Sequence, residues 1–346
     1  MRCLIYTYGS HQRGMGHIYQ SMALADALEA EGARVEFVVP DHPAGLEKLG
    51  EGRWPLLAVP RHMGDAERIA YIDARLEGEV DLALLDILES GDELAEYWAG
   101  RAGLLAALDE IGPGRRHADL LVNVIHRPPR PDGATYTEIN RLDHVILRPE
   151  FALAGTPDSC PDRVGRILVS QGGSDTFGGL VHLVGELAAV PADVEVDLVV
   201  GPAFEHDGPL AQATAAAGRP FNLRRDVRDM AGLMRRCDLA VSGGGKTLFE
   251  LAALGIPFVA VTEEPRELET MDIVARDVLC ENIGLRRRAG GRVRQAVLRL
   301  LDDPRRRLEM RRSGHAAVGG SGARRVAGLL LRAGRQRMEE SRALGV

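Results

Sequence analysis

The chain has 346 residues, and 43 Lys and Arg residues against 50 Asp and Glu residues give a formal net charge of −7. A hydrophobic content of 45% and a charged content of 27% are average for globular proteins and exclude intrinsic disorder. The length predicts two domains, each able to bury its own core, and the acidic balance argues against nucleic acid as a partner.

Short apolar segments alternate with longer stretches of helical spacing, which is the pattern of β-α units that build a parallel sheet. In the first half the predicted strands are 4–8, 35–39, 82–86, 120–125 and 144–147. A helix is predicted over 18–30, with Gly32 placed to end it. Asp86 stands at a strand end, where parallel strands present side chains to a crevice, and is a candidate ligand for a sugar hydroxyl.

The second half repeats this alternation after a proline-containing stretch, 149–163, which reads as a linker. Its predicted strands are 167–170, 196–200, 239–242 and 258–261, and helices are predicted over 292–301 and 323–336. The sequence therefore predicts an α/β protein of two Rossmann-like, doubly wound domains with an interdomain cleft. We expect an N-terminal domain over 1–152, a C-terminal domain over 163–320 and a C-terminal helix over 321–346.

No apolar run reaches the roughly 18 residues that a membrane span requires, and the first residues form a strand-like segment without a secretion signal. We therefore expect a cytoplasmic protein. The four cysteines are far apart and form no C-x-x-C pair, so the sequence predicts neither a zinc site nor a disulfide framework.

Arginine is concentrated near the C-terminus. From residue 286 to residue 342 there are seventeen arginines against five acidic residues. Such a region can make peripheral contact with an acidic lipid surface, and the alternative interpretation is a solvated helical face.

The first of three strand-to-glycine junctions is Gly14-Met15-Gly16-His17. Glycines permit a tight turn, and the free amides of the following helix favour an anion such as a phosphate. His17 at the rim can exchange protons near neutral pH, which makes it the candidate catalytic residue. Helix capping or a bond to a backbone carbonyl is the structural alternative for this histidine.

The second junction is Gln171-Gly172-Gly173-Ser174-Asp175, in which the glycine backbone can lie against a ligand. Ser174 and Asp175 are also good residues for simple helix capping. The third junction is Ser242-Gly243-Gly244-Gly245-Lys246-Thr247, followed by Glu250. It lacks the first glycine of a P-loop, but its amides and the Thr247 hydroxyl suit a diphosphate, and Glu250 suits ribose hydroxyls.

These motifs, in this order, resemble those of the pseudaminic-acid-pathway UDP-sugar hydrolases and their spore-coat-polysaccharide relatives. The resemblance also includes the segments 147–151, 254–257 and 319–326, and it covers most of the chain. That group is similar to the lipid-II-forming N-acetylglucosaminyltransferase. The resemblance implies the GT-B fold, with a UDP-sugar in the cleft and the nucleotide held mainly by the C-terminal half.

Several functional expectations follow from the resemblance. His17 matches the histidine that helps water attack the anomeric carbon, Glu250 matches the ribose-binding glutamate, and the second and third junctions match the nucleotide-binding turns. No metal or other cofactor is expected, because helix dipoles and amides stabilise the departing diphosphate. Two positions depart from the family: Gln20 replaces an arginine, and the acidic loop 263–269 replaces an Asn-Gln pair.

Three functions remain open on these observations. The first is a hydrolase that releases UDP from a modified amino sugar by inverting attack of water, in surface-glycan or nonulosonic acid biosynthesis. The second is a GT-B glycosyltransferase in which His17 deprotonates an acceptor hydroxyl. The third is a non-catalytic protein that binds nucleotide sugars, and Gln20 and the acidic loop motivate it.

Overall fold

The computed structural model describes residues 1–9, 15–152, 155 and 157–344. The chain divides into two compact units, one formed by Met1–Arg148 with Ser321–Val346 and the other by Pro149–Gly320. Each unit has a parallel sheet with helices packed on it, so the predicted α/β class is confirmed. Within the described residues, no helix is both long enough and apolar enough to cross a membrane.

The sheet of the first unit has the strand order β3-β2-β1-β4-β5-β6-β7, and all of its pairings are parallel. Its strands are β1 (Arg2–Thr7), β2 (Arg34–Pro40), β3 (Leu56–Val59), β4 (Val80–Asp86), β5 (Ala102–Leu108), β6 (Leu120–Val122) and β7 (Thr137–Ile139). Its helices are α1 (Gly16–Ala30), α2 (Pro43–Gly50), α3 (Asp65–Asp73), α4 (Asp92–Arg101) and, from the end of the chain, α12 (Gly322–Leu344).

The sheet of the second unit has the order β10-β9-β8-β11-β12-β13, again with parallel pairings. Its strands are β8 (Arg166–Ser170), β9 (Glu195–Val199), β10 (Asn222–Arg224), β11 (Leu239–Ser242), β12 (Phe258–Thr262) and β13 (Glu281–Leu285). Its helices are α5 (Gly179–Leu187), α6 (Asp207–Ala216), α7 (Met230–Arg235), α8 (Thr247–Ala253), α9 (Glu267–Asp277), α10 (Arg292–Leu301) and α11 (Pro304–Val318).

The predicted strand over 144–147 is wrong. A short 3-10 turn, Leu142–His144, occupies its start, and the following residues are not paired in a sheet. Sequence reasoning also missed β5, whose sequence AGLLAAL lacks β-branched residues and has a high helix propensity. Its pairing with β4 and β6 buries it from Leu104 to Leu108, and this burial overrides the local preference.

The stretch 149–163 is an ordered part of the second unit where it is described. A 3-10 turn, Pro149–Phe151, buries the Phe151 ring completely. The buried guanidinium of Arg307 donates to the carbonyl oxygens of Pro161 (2.5 Å) and Asp162 (3.0 Å). Helix α12 returns to the first unit, where it packs against α1 and β5.

Candidate functional site

The central strands β1 and β4 of the first sheet are neighbours, although the chain makes β2 and β3 between them. Such a switch in strand order leaves a crevice at the carboxyl ends of the strands, where α/β proteins bind ligands. Asp86 is the last residue of β4, and α1, which carries His17 in its first turn, follows the loop after β1. The fold of this unit therefore brings the predicted base to the carboxyl edge of its sheet.

His17 and Asp86 form a hydrogen-bonded pair. The Nδ1 atom of His17 lies 2.8 Å from Oδ1 of Asp86, whose side chain is fully buried, while the histidine side chain is 18% exposed. The ring of Tyr8 packs beside the imidazole at a centroid distance of 5.2 Å. A buried carboxylate on Nδ1 selects the tautomer that carries its hydrogen there, so Nε2 keeps a lone pair that can accept a proton.

Asp86 is held from further sides, and its predicted role as a sugar ligand is wrong. The hydroxyl of Ser21 donates to Oδ2 at 2.5 Å, and the amide nitrogen of Gln20 donates to Oδ1 at 3.1 Å. Because the carboxylate is fully buried and both oxygens have partners within the protein, it cannot reach a sugar hydroxyl. The carboxylate orients His17 instead.

In the second unit, the junction after β8 separates into an exposed part and a structural part. Gly172, Gly173 and Ser174 are exposed, and Gly172 adopts a left-handed conformation with φ +80° that favours glycine. The carboxylate of Asp175 accepts the backbone N–H groups of Gly179 (2.6 Å) and Leu180 (2.9 Å).

Asp175 therefore caps the start of α5, and the capping alternative describes it better than a substrate contact. Burial raises the pKa of this carboxyl, and the two amide bonds oppose the shift.

At the junction after β11, two backbone N–H groups already form hydrogen bonds within the protein. The N–H of Gly243 donates to the Ser170 carbonyl at 2.9 Å, and the N–H of Gly244 donates to the carboxylate of Glu267 at 3.0 Å. The hydroxyl of Thr262 donates to the same Glu267 oxygen. A Cβ atom at Gly244 would lie 2.7 Å from the Cβ of Glu267, so only glycine fits this position without movement of α9.

The remaining predicted residues of this junction differ in burial. Ser242 is 1% exposed, and its hydroxyl donates to the carbonyl of Gly243 at 3.1 Å. Gly245, Thr247 and Glu250 are half-buried around the start of α8. Gly14 lies outside the described residues, and Gly16 is exposed at the start of α1.

The acidic loop 263–269 carries less free charge than its sequence indicates. Glu263 pairs with Arg286, and Glu264 pairs with Arg266. The carboxylate of Glu267 instead accepts the hydrogen bond from the backbone N–H of Gly244. Of the described residues, no group of three or more His, Cys, Asp or Glu side chains is arranged as a metal site.

Sequence reasoning missed the residues that support His17. Ser21 and Asp109, whose Oδ2 lies 3.4 Å from the amide nitrogen of Gln20, lack any motif, and Gln20 was visible only as a departure from the family that the sequence resembles. One signal was available: Gln20 and Ser21 lie one helical turn after His17, so all three can face the same strand end. Glu267 was seen only as one charge within an acidic loop.

The comparison with solved structures identifies the fold. The crystal structure of MurG from Acinetobacter baumannii superposes with a TM-score of 0.66 at 15% identity, covering 96% of this chain and 99% of that one. The two parallel-sheet units and this likeness identify the GT-B fold, as the resemblance implied. No family model matches the chain.

Two proteins with similar sequences span most of the chain. The spore coat polysaccharide biosynthesis protein SpsG of Bacillus subtilis (strain 168) is 25% identical over 341 residues, which cover 94% of this chain and 96% of that protein. The UDP-N-acetylglucosamine--N-acetylmuramyl-(pentapeptide) pyrophosphoryl-undecaprenol N-acetylglucosamine transferase of Xanthomonas oryzae pv. oryzae (strain MAFF 311018) is 26% identical over 356 residues. This match covers 91% of the present chain and 76% of the transferase.

Proposed function

We propose that this protein is a glycosyltransferase that uses a nucleotide-linked sugar donor in glycan biosynthesis, with His17 as its general base. The names of the two similar proteins describe polysaccharide biosynthesis and transfer of a sugar from UDP-N-acetylglucosamine, and both support this proposal. The transferase, which was the second of the sequence-based alternatives, therefore takes precedence over the hydrolase. The single observation that carries the chemistry is the 2.8 Å bond between His17 and the fully buried Asp86.

The geometry of the pair supports one direction of proton transfer. Nδ1 of His17 donates to Asp86, so Nε2 accepts the proton of an acceptor hydroxyl. The oxygen of that hydroxyl forms a bond to the anomeric carbon of the donor. The bond from that carbon to the diphosphate oxygen breaks, and its electron pair leaves with the nucleoside diphosphate. Asp86 stabilises the imidazolium that forms, as a buried carboxylate does in other His-Asp pairs.

The nucleotide part of the proposal depends on the second unit. The exposed backbone of Gly172, Gly173 and Ser174 and the half-buried Gly245 and Thr247 are the groups that we assign to the diphosphate. Glu250, half-buried on α8, is assigned to the ribose hydroxyls by its match to the related family. Amide and hydroxyl donors stabilise a leaving diphosphate without a metal ion.

Turnover measurements with UDP-linked sugars separate the three functions. UDP release that requires an added sugar acceptor supports the transferase. Release of equal amounts of UDP and free sugar from the donor alone would identify the hydrolase instead. Thermal stabilisation by UDP without turnover of any donor would leave only the binding protein. UDP at 100 times its Kd adds about 2.7 kcal/mol of stability, which a melting curve detects.

A histidine variant tests the base directly. His17→Ala should lose about 10²- to 10⁴-fold in turnover, because general-base assistance contributes this much, while its stabilisation by UDP stays unchanged. The matched control is His117→Ala, which removes another histidine paired with an aspartate, at 3.2 Å from Asp92 and partly exposed. Wild-type turnover in His17→Ala, or an equal loss in His117→Ala, would refute the assignment of the base.

A further inference from the structure

Gln20 connects two buried carboxylates beside the candidate base. Its side chain on α1 is 4% exposed, and its amide nitrogen lies 3.1 Å from Oδ1 of Asp86 and 3.4 Å from Oδ2 of Asp109. An amide nitrogen carries two hydrogens, so one donor group serves both acceptors. The nitrogen must face the carboxylates, since the amide oxygen would repel them.

The second carboxylate is itself fixed to the backbone. Asp109 follows β5 with a left-handed φ of 47°, a conformation that non-glycine residues adopt rarely. Its Oδ1 accepts the N–H groups of Val124 (3.1 Å) and Ile125 (3.2 Å). Gln20 therefore links the carboxylate that holds His17 to one whose position is determined by the chain after β6.

The neutrality of Gln20 matters as much as its hydrogen bonds. His17 and Gln20 share one oxygen of Asp86, and only His17 can become a cation. An arginine at this position would place a permanent positive charge against both carboxylates. It would compete with the imidazolium for the charge of Asp86, and the competition would be strong because the pair is buried.

The space around Gln20 also restricts the residue at this position. A cavity of about 10 Å³ lies against it, lined among others by Asp109, Val124 and His144. This volume holds about one water molecule. A guanidinium would have to displace neighbouring core residues, which usually destabilises a protein.

We propose that Gln20 is a positioning residue: by tying Asp86 to Asp109 it keeps the carboxylate in the orientation that holds His17 as the Nδ1–H tautomer. The effect of Gln20 on catalysis rests on the proposed function, but its effect on the orientation of Asp86 and His17 does not. Gln20 does not touch the substrate in this proposal; it acts through Asp86 on His17.

The first experiment uses the free full-length protein, without substrate. NMR of histidine labelled with ¹⁵N reports which ring nitrogen carries the hydrogen, and the His17 signals are identified by their absence in His17→Ala. In wild type we expect a protonated Nδ1 and an unprotonated Nε2. Gln20→Met keeps the length of the side chain and removes both donors, so the two nitrogen signals of His17 should move toward each other as the tautomers mix.

The second experiment measures turnover of the same variants. Gln20→Met should lower kcat by about 10- to 100-fold, because a small displacement of a reacting group has such an effect, and leave KM for the nucleotide sugar unchanged. Gln20→Glu, which keeps the shape of the side chain, should give the same loss, since even a protonated carboxyl group has a single hydrogen and cannot donate to both carboxylates. It also tests the proposal if Gln20→Met fails to fold. Tyr19→Phe, next to Gln20 on α1 and 36% exposed in wild type, is the control and should match wild type in both measurements.

Three results would overturn the proposal. A wild-type tautomer in a folded Gln20→Met or Gln20→Glu protein means that Gln20 only fills space. A loss of kcat with an unchanged tautomer means that the effect does not pass through Asp86. A change in tautomer in Tyr19→Phe means that any substitution on α1 disturbs His17. Because the NMR signal needs no substrate, it decides the positioning role even if no donor sugar is turned over.

Discussion

The two sheets of this protein share one strand order around their central strands but present different chemistry at their carboxyl edges. In the first unit, acidic residues lie at the ends of two adjacent strands. Asp86 is the last residue of β4 and pairs with His17, and Asp109 directly follows β5. In the second unit, the corresponding strands β11 and β12 end in the hydroxyl residues Ser242 and Thr262, next to a glycine turn. We propose proton transfer at the first edge and anion binding at the second. Strand order creates the crevice, and the residues at the strand ends decide its use.

The buried carboxylates show the same contrast. Asp86 bonds a histidine and two neutral donors, whereas Asp197 on β9 is equally buried but is held by Arg166 (3.0 Å) and Arg224 (2.9 Å) from the two neighbouring strands. A carboxylate neutralised by permanent cations has a structural role. A carboxylate left for a titratable imidazole can support a proton transfer.

The largest effect should come from Asp86→Asn. The new amide can donate to Nδ1 of His17, which favours the hydrogen on Nε2 and removes the base. Turnover should fall by about 10²- to 10⁴-fold while UDP binding is retained. Initial rates and UDP melting shifts measure the two effects. Undiminished turnover would show that the two buried carboxylates do not differ in role.

Asp197→Asn tests the other side of the contrast. It removes the only carboxylate paired with Arg224 among the described ion pairs and one of the two paired with Arg166, which keeps Glu195 at 2.6 Å, so the free energy of unfolding should fall by about 1–3 kcal/mol. Turnover per folded molecule should stay at the wild-type level. Urea unfolding followed by rate measurements checks both, and a catalytic loss without a stability loss would contradict the structural role.

Two adjacent glycines of the second unit should differ in their tolerance of a side chain. Gly244→Ala places a Cβ 2.7 Å from the Cβ of Glu267 and 2.9 Å from Cγ of Met271, and should cost about 1–3 kcal/mol of stability. Gly245→Ala is the matched control, because its nearest neighbour, Oε1 of Glu267, would be 3.7 Å away. Equal unfolding midpoints for the two variants would show that the turn and α9 do not pack as described.

Glu267→Gln should sharpen the assignment of the second edge to an anion. The carboxylate on the Gly244 amide repels a diphosphate bound nearby, and removing one like charge is worth about 1 kcal/mol, or roughly fivefold in affinity. UDP should therefore bind more tightly to the variant in calorimetric titrations. Uridine, which lacks the phosphates, is the control ligand and should bind as before. A parallel change for both ligands would exclude the electrostatic explanation.

The smallest effect concerns pH. Burial raises the pKa of Glu110, whose Oε1 accepts the N–H groups of Ser90 (2.9 Å) and Gly112 (2.7 Å) beside the first edge. The folded state then keeps this proton to a higher pH than the unfolded state. Stability is therefore lost as the pH rises through the raised pKa. Glu110→Gln should flatten this part of the pH–stability curve in chemical unfolding, and an unchanged slope would contradict the shift.

Most of the secondary structure and the position of the glycine junctions could be predicted from the sequence, because both leave patterns in short segments of the chain. Apolar runs of four to six residues locate most central strands, and glycine clusters directly after them locate the junctions. Predictions from apolar runs were wrong at two segments, where packing against other strands decides the secondary structure. β5 reads as helical and is a buried central strand, while 144–147, apolar after His144, pairs with no strand.

The sequence by itself determined the α/β class and the two parallel sheets. It also placed His17 in the segment that follows the first strand. Both conclusions rest on the hydrophobic period and on the placement of glycines, which act over short distances in the chain. Only the tertiary structure decided what each polar residue does. It joined His17 to Asp86, 69 positions away, and placed Glu267 on the Gly244 amide, 23 positions away. A hydrogen bond depends on a few tenths of an ångström between groups far apart in the chain, and this geometry exists only once the sheet and helices of its own unit are packed.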